Sequence, residues 1–368
     1  MPNVMSAVAQ AVQARSAWNR IGVVVSVFIL AIAAVTLSRL LKEIELQKIV
    51  VELQAKSPQA LLIAGGFVVV AYIALTFYDF FALRTIGRKE PPYRIAALAS
   101  FTGYTIGHNL GATVFTAGVI RLRVYSAWGL NLIDIGKIAF VTGLTFWLGN
   151  AFVLGMGLTY APEAATCVNR LPAWLNRSIG LASLILIAGY LIWLLPRPRI
   201  IGPSRVRIVL PNARMTLVQI GIGAVDLGAA AAAMYSLLSP QPAIDAIALS
   251  VIFIAALLLG FLSHAPGSLG VIEATMLLAL PQFQKEGLLA SLLIFRAIYF
   301  MLPLLLAVIL LAGREILLIA RSARLLGLPL CHSGAPAELG FTRDRQAQVP
   351  KSAKAALGCE AERRARNP

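Results

Sequence analysis

The sequence has few charged residues and few of the side chains that bind metals. Of its 368 residues only 13% are charged, and histidine and cysteine occur three times each. It contains no CxxC pair and no HExxH segment, so neither a zinc site nor a metalloprotease helix is encoded. Ser268 has no base that the sequence pairs with it. We therefore expect no metal, no cofactor, no disulfide framework and no catalytic residue.

Apolar residues are abundant. They make up 59% of the chain, and the mean hydropathy is +0.81. Runs of about 20 apolar residues are long enough to cross a bilayer as helices. The pattern predicts an all-α, polytopic membrane helix bundle of about seven or eight spans. The uninterrupted spans are predicted at Gly22–Leu41, Ala60–Leu83, Ile135–Tyr160, Ser178–Leu195, Met215–Leu238, Ala243–Ser263 and Leu288–Ala312.

The net charge of +16 is carried by residues between and after the spans. In that position basic residues set the orientation of a membrane protein, and we expect no nucleic acid partner. The rule predicts a cytoplasmic N-terminal segment (1–20), a transmembrane domain (21–320) and a basic, disordered cytoplasmic tail (321–368). The loop at 196–214, with five arginines and no acid, is predicted to be cytoplasmic.

Two hydrophobic segments are interrupted. Tyr93–Ile120 is broken by GHNLG and has basic residues at both ends, which predicts a re-entrant hairpin with its tip at Gly107–Gly111. The second, FLSHAPGSLGVIEATMLLAL at 261–280, is expected to cross as a short broken helix, and re-entry stays open as the alternative. Both segments contain an HxxG spacing, beginning at His108 and His264, which suggests an inverted repeat.

Five ionisable residues are predicted to lie within or near the spans: Asp79, Arg121, Asp226, Glu273 and Arg296. Such a charge costs about 2.5 to 3.5 kcal/mol at the centre of a span, so each needs a reason to be there. We expect them to converge with the broken helices on one polar cavity. The alternative is that they pair with each other and only lock the bundle together.

The residues around the second interruption could complete this site. Gly267 and Gly270 allow a ligand or backbone to approach closely, and a helix that restarts near Ser268 would point free N–H groups into the bundle. This arrangement predicts an anion site. His108 and His264 are further candidates, with ordinary packing as the alternative for both.

Three runs resemble the membrane region of the lysylphosphatidylglycerol synthase/flippase family. They are GHNLGATVFTAGVIRLRVYSAWGL (107–130), HAPGSLGVIEA (264–274) and FRAIYFMLPLLLA (295–307). The resemblance implies a multi-pass flippase of the bacterial inner membrane that carries an aminoacylated phosphatidylglycerol or a related polar lipid to the outer leaflet. Arg121, Glu273 and Arg296 fall on its motifs, and Asp226 and Asp79 on looser ones.

The family's full-length members also carry a soluble domain that transfers lysine to the lipid. The residues after the last span are too few to fold into such a domain, so we expect no enzyme activity. From the resemblance we expect a membrane phospholipid as partner. The alternatives are a non-transporting accessory subunit of a separate lipid synthase and a transporter of a hopanoid or other polyprenyl-type lipid. A homodimer is left open.

The resemblance and the charges together give an expected mechanism. Arg121, Arg296 and the helix N-terminus after Gly267 would bind the lipid phosphate. Glu273 and Asp226 would balance the arginines in the empty state and face an amino group in the loaded state.

Overall fold

A computed structural model describes residues 56–325 except 112, 196–198, 202–207 and 263–265, and for 266 and 319–325 it describes the backbone only. The predicted N-terminal segment, the span Gly22–Leu41, His264 and the tail after 325 lie outside the described residues.

The described chain is almost entirely helical. Its helices are α1 (Pro58–Thr85), α2 (Tyr93–Leu110), α3 (Thr113–Tyr125), α4 (Leu132–Tyr160), α5 (Pro162–Asn169), α6 (Ala173–Leu194), α7 (Ala213–Leu237), α8 (Ala246–Leu262), α9 (Val271–Ala279), α10 (Lys285–Arg296) and α11 (Leu302–Leu325). Short 3-10 turns occupy Ser126–Trp128 and Pro266–Ser268, and a π-helical segment, Ala297–Met301, joins α10 to α11. Two-residue strands, β1 (Ile200–Ile201) and β2 (Ile208–Val209), pair antiparallel.

Five of these helical segments are long and apolar enough to span a membrane: α1, α4, α6, α7 and the continuous helix Lys285–Leu318. Helix α8 is apolar but shorter. The bounds of α1, α4, α6 and α7 agree with the predicted spans to within five residues, and the last helix extends beyond the predicted end at Ala312. The predicted span Ala243–Ser263 is corrected, because α8 is one leg of a hairpin described below. The prediction of an all-α membrane helix bundle is confirmed.

Polar caps mark where several long helices begin. Ser57 accepts a hydrogen bond from the Ala60 N–H at the start of α1, and Asn212 accepts one from Met215 at the start of α7. Asn131 and Asp134 form a reciprocal capping box at the start of α4. These side chains bind the free N–H groups of a first helical turn, which explains why the helices start there.

The first interrupted segment is a hairpin, as predicted. Helix α2 ends at Leu110, and the next residue, Gly111, has a φ of 78°, which an L residue rarely adopts. Helix α3 then runs back along α2. The close contact depends on small residues, because a Cβ on Gly107 would lie 2.8 Å from Thr113 and one on Gly103 would lie 3.4 Å from Ala117. Larger side chains at these positions would separate the two legs.

The second interrupted segment does not cross by itself, which corrects our expectation. Helix α9 has nine residues and is about 14 Å long, less than half the thickness of a bilayer core. Its last residue, Ala279, lines a cavity together with Asp245 and Ala248 from the beginning of α8. Helix α9 is therefore the return leg of a hairpin that α8 begins, and this hairpin starts and finishes at the same end of the bundle.

The two hairpins enter the bundle from opposite ends. Lys56, just before α1, donates a hydrogen bond to the carbonyl of Leu237 at the end of α7 (2.8 Å), so the packed helices α1 and α7 run antiparallel. The hairpin α2–α3 follows α1, and the hairpin α8–α9 follows α7. Each hairpin is then followed by a long helix, α4 or α10–α11. The described chain thus contains two units of the same order in inverted orientation.

Arginines concentrate at the end of the bundle from which the first hairpin enters. Arg88 bonds Asp134 at the start of α4 (2.9 Å), and Arg123 at the base of the hairpin bonds Glu315 of α11 (2.7 Å). Arg214, at the start of α7, lies at the same end. Arg88, Arg123 and Arg214 therefore share one end of the bundle.

Helices α4 and α7 touch where two glycines face each other. A Cβ on Gly149 would lie 2.8 Å from the Cα of Gly223, and one on Gly223 would lie 2.9 Å from the Cα of Gly149. No neighbouring side chain can move to make room, because the obstacle is backbone. Only glycine at these two positions therefore allows α4 and α7 to approach this closely.

We predict that Gly149→Ala destabilises the bundle. Overpacking costs about 1 to 3 kcal/mol, which exceeds the gain of about 1 kcal/mol from replacing a helical glycine by alanine. The matched control is Gly143→Ala in the same helix, where an added Cβ meets nothing within 4 Å. Thermal unfolding in detergent, followed by tryptophan fluorescence, should show a lower midpoint for Gly149→Ala alone. Equal midpoints for the two variants would contradict this account of the crossing.

Candidate functional site

A cavity of about 380 Å³ lies between the two interrupted segments. It is lined by the hairpin tip (His108, Gly111, Thr113), by Asn150 of α4, by Asp226 of α7 and by Ser268 of the second interruption. Asp226 lies thirteen residues into the 25-residue helix α7, so the cavity is near the middle of the bundle. The remaining lining is apolar and mostly aromatic or leucine: Val114, Phe115, Phe146, Leu227, Leu257, Leu258, Gly260, Phe261, Tyr299 and Phe300.

The cavity has an opening towards the outer surface of the bundle. Two of its lining residues, Val114 and Phe115, are 61% and 78% exposed. They begin α3, and Phe261 at the end of α8 lines the same cavity. These exposed residues place one side of the cavity at the surface of the described bundle.

The two interruptions meet beside this cavity. A Cβ on Gly267 would lie 3.9 Å from the carbonyl oxygen of Asn109, at the tip of the first hairpin. The Asn109 amide also donates to the carbonyl of Phe300 in the π-helical segment (3.4 Å). The two broken segments therefore meet, but of the five charged residues expected to converge on one cavity, Asp226 alone lines this one.

Asp79 and Arg121 form a buried ion pair. The Arg121 Nη2 lies 2.6 Å from Asp79 Oδ1, and the Nε lies 2.9 Å from Oδ2. Tyr125 donates a third hydrogen bond to this carboxylate (2.9 Å), and the guanidinium lies 5.0 Å from the ring centre of Tyr104. Both charged side chains are at most 2% exposed. The pair ties α1 to the return leg of the first hairpin.

This ion pair adjoins the cavity of about 380 Å³ that Asp226 lines, the main cavity of the bundle's centre. Arg121 lines a smaller cavity of about 80 Å³ together with Tyr104. The two cavities share His108, Thr113, Val114, Phe146 and Phe261. Arg121 therefore lines a cavity that shares part of its wall with the main cavity.

Glu273 and Arg296 form the second ion pair. Arg296 Nη2 lies 2.8 Å from Glu273 Oε2, and Nε donates to the other carboxylate oxygen. The same guanidinium donates to the carbonyls of Gly267 (2.9 Å) and Ser268 (3.2 Å). Arg296 thus holds the 3-10 turn between α8 and α9 and fixes its position against α10.

The helix start after this turn is not the open anion site that we expected. Helix α9 begins at Val271, with Gly270 (φ 77°) before it, rather than near Ser268. Glu273 already lies in its first turn, where a negative charge matches the positive end of the helix dipole. The carbonyls of Gly267 and Ser268 face an arginine. A phosphate would therefore have to compete with Glu273.

Asp226 is placed differently from the other acids. Its only described hydrogen bond comes from the hydroxyl of Tyr78, at 3.3 Å, and Oδ1 has no partner within the described part of the chain. The side chain is 7% exposed and lines the main cavity. We expected Asp226 and Glu273 to balance the charges of the two arginines. Glu273 does pair with Arg296, but Asp79 rather than Asp226 pairs with Arg121.

Several contributors were missed by the sequence analysis. Asn150 lines the cavity, is 2% exposed and leaves Oδ1 without a partner within the described part of the chain. The π-helical segment directly after Arg296 receives hydrogen bonds from Tyr72 and Asn109. An asparagine inside an apolar span is a signal that could have been used. Nothing in FRAIYFM distinguishes a π segment from an ordinary helical turn.

The described residues contain no cluster of three or more His, Cys, Asp or Glu side chains that could hold a metal ion. The chain divides into two compact units after Ile316, and all residues of the cavities and of both ion pairs precede this point.

The comparisons with known proteins identify relatives that match about two thirds of the chain. No family model matches the chain. It is 31% identical over 255 residues to the inner membrane protein YbhN of Escherichia coli K12, covering 68% of this chain and 78% of the relative. It is also 30% identical over 249 residues to the uncharacterized protein slr0712 of Synechocystis sp., covering 66% of this chain and 76% of the relative. The chain therefore belongs to the same family of membrane proteins as YbhN.

Proposed function

We propose that this protein is a lipid flippase of the bacterial inner membrane, which moves a polar head group between leaflets through the main cavity. The observation that carries the proposal is a cavity near the middle of the bundle, where two inverted hairpins meet, with a few polar groups in a mostly apolar wall and with exposed lining residues on one side. The inner membrane location is supported by the relationship to YbhN.

The cavity suits a head group in size and lining. Ligand pockets usually measure about 300 to 1,000 Å³, with a mostly apolar wall and a few placed polar groups. Asp226, Asn150, His108 and Ser268 are such groups here. Moving a charged head group through hydrocarbon is costly, and this lining would lower that cost. The acyl chains would stay in lipid, beside Val114 and Phe115.

The resemblance to the lysylphosphatidylglycerol synthase/flippase family favours an aminoacylated phosphatidylglycerol as substrate. Such a head group carries ammonium groups as well as a phosphate. Asp226 is the charged residue that lines the main cavity, so the ammonium would face it. The phosphate would face Arg121, whose fork of donors can pair with two of its oxygens.

In this mechanism Arg121 exchanges partners. Without a ligand it is paired with Asp79, and the phosphate would replace part of that pairing when the lipid enters. The pair Glu273–Arg296 would have the different task of holding the second interruption in position. The two inverted units would then rock against each other and expose the cavity to one leaflet at a time.

Reconstitution tests the proposal most simply. In vesicles with labelled lysylphosphatidylglycerol, phosphatidylglycerol and a hopanoid, we expect the protein to transfer lysylphosphatidylglycerol fastest between leaflets. The matched control is Arg88→Gln, which removes a partly exposed ion pair at the end of the bundle and should retain transport. Transfer of none of the three lipids would contradict the proposal. Copurification with a lipid synthase in that case would favour the accessory-subunit alternative.

A double-mutant cycle separates transport from stability at Asp79 and Arg121. Asp79→Asn or Arg121→Gln alone leaves a buried charge without its partner, which costs about 3 to 5 kcal/mol. The double variant removes both charges and should recover most of the lost unfolding temperature. It should still fail to transport lysylphosphatidylglycerol, since no arginine remains to bind the phosphate. Wild-type transport by a stable double variant would show that the pair is only structural.

A further inference from the structure

Asp226 differs from the other acids in or near the spans because the described residues provide no basic partner for it. Asp79 is paired with Arg121, Asp134 with Arg88, Glu273 with Arg296 and Glu315 with Arg123. Asp226 receives one long hydrogen bond from Tyr78, and its Oδ1 has no partner in the described part of the chain. The side chain nevertheless lines a cavity large enough for a ligand.

The groups that face Asp226 do not replace a cation. From α1 come Tyr72 and Tyr78, from the π-helical segment Tyr299, and from the hairpin tip His108, which lines the same cavity. Helix α4 contributes Asn150, and α8 contributes Leu257, Leu258, Gly260 and Phe261. An ionised carboxylate here would be desolvated and uncompensated, a state that proteins avoid by protonation or by binding a cation.

We propose that Asp226 is a proton-binding site: it carries a proton while the cavity is empty and gives that proton up when an ammonium group enters. This inference rests on the proposed function, since it requires a cationic head group to reach the cavity. The carboxylic acid is neutral and can remain in the apolar cavity alone. The carboxylate forms only when an ammonium is present to pair with it.

The exchange balances in atoms and charge. The O–H bond of the Asp226 carboxylic acid breaks, its electron pair stays on the oxygen, and the proton leaves to water. The carboxylate then pairs with the ammonium of the lipid. One positive charge enters the cavity as one leaves. When the cavity opens to the other leaflet and the lipid departs, a proton from that side restores the acid.

This exchange would couple lipid transport to the proton gradient. A cationic lipid that moves outward is replaced in the cavity by a proton that moves inward. Protons flow inward spontaneously across an energised bacterial inner membrane, so the gradient would drive the lipid towards the outer leaflet. A lipid without an amine would not displace the proton and would gain nothing from the gradient.

Calorimetry on the purified full chain in detergent micelles tests the exchange. Lysylphosphatidylglycerol and phosphatidylglycerol with identical acyl chains would be titrated between pH 5 and 7 in buffers of different ionisation enthalpy. Below the carboxyl's titration range the affinity for lysylphosphatidylglycerol should rise by up to about tenfold per pH unit, with release of about one proton per lipid, because lipid and proton compete. Its side-chain ammonium stays charged throughout this range. Phosphatidylglycerol should show neither effect.

Three variants assign the proton to a residue. Asp226→Asn should abolish both the pH dependence and the proton release, since the amide resembles the protonated acid. His108→Gln should retain both, which excludes His108 as the source of the proton. Glu286→Gln changes an exposed acid at the start of α10 and should behave like the wild type.

The outcomes separate the inference from the proposed function. Binding of lysylphosphatidylglycerol without proton release, or a pH dependence that disappears in His108→Gln and persists in Asp226→Asn, would overturn the inference and leave the proposed function standing. A dependence on sodium concentration in place of pH would also overturn it. If neither lipid binds, the proposed function fails and the inference fails with it.

Discussion

The energetic cost of an unpaired charge inside a membrane bundle is the constraint on which this structure depends. Arg121 and Arg296 avoid this cost by pairing with acids, and each pair also holds an interrupted helix in place. Asp79–Arg121 fixes the return leg of the first hairpin to α1, and Glu273–Arg296 fixes the turn between α8 and α9. The paired charges thus position broken backbone that lipid alone would not tolerate. Asp226 remains outside this pairing, and the cavity forms around it.

The cavity exists because broken helices leave space where continuous helices would pack. Small residues bring the helices close elsewhere, as at the crossing of Gly149 and Gly223. The inverted order of the two units places the hairpin tips near the same depth although they enter from opposite ends. A cavity near the middle of the bundle is the geometric consequence.

The sequence predicted features that depend on local chemistry. Apolar length and basic flanks located the long helices and the first hairpin, and the cost of buried charge singled out the five ionisable residues. The sequence could not predict which acid pairs with which arginine, because that pairing depends on the packing of helices that are distant in the chain. Asp226, expected beside an arginine, is without one among the described residues, and Asp79 takes its place. For the second interrupted segment a crossing was expected and re-entry was left open, because charge counting cannot separate a crossing from the second leg of a hairpin.

Access of water and lipid to the cavity tests the central claim most directly. In a variant without native cysteines, Asn150→Cys would be labelled by a water-soluble cationic thiol reagent, with and without lysylphosphatidylglycerol. Ile185→Cys, on a surface position of α6 that is 69% exposed, serves as the lipid-facing control. The account predicts that Asn150→Cys reacts, that Ile185→Cys does not, and that the lipid slows the reaction at position 150. Labelling of neither cysteine, or labelling at 150 that the lipid leaves unchanged, would contradict it.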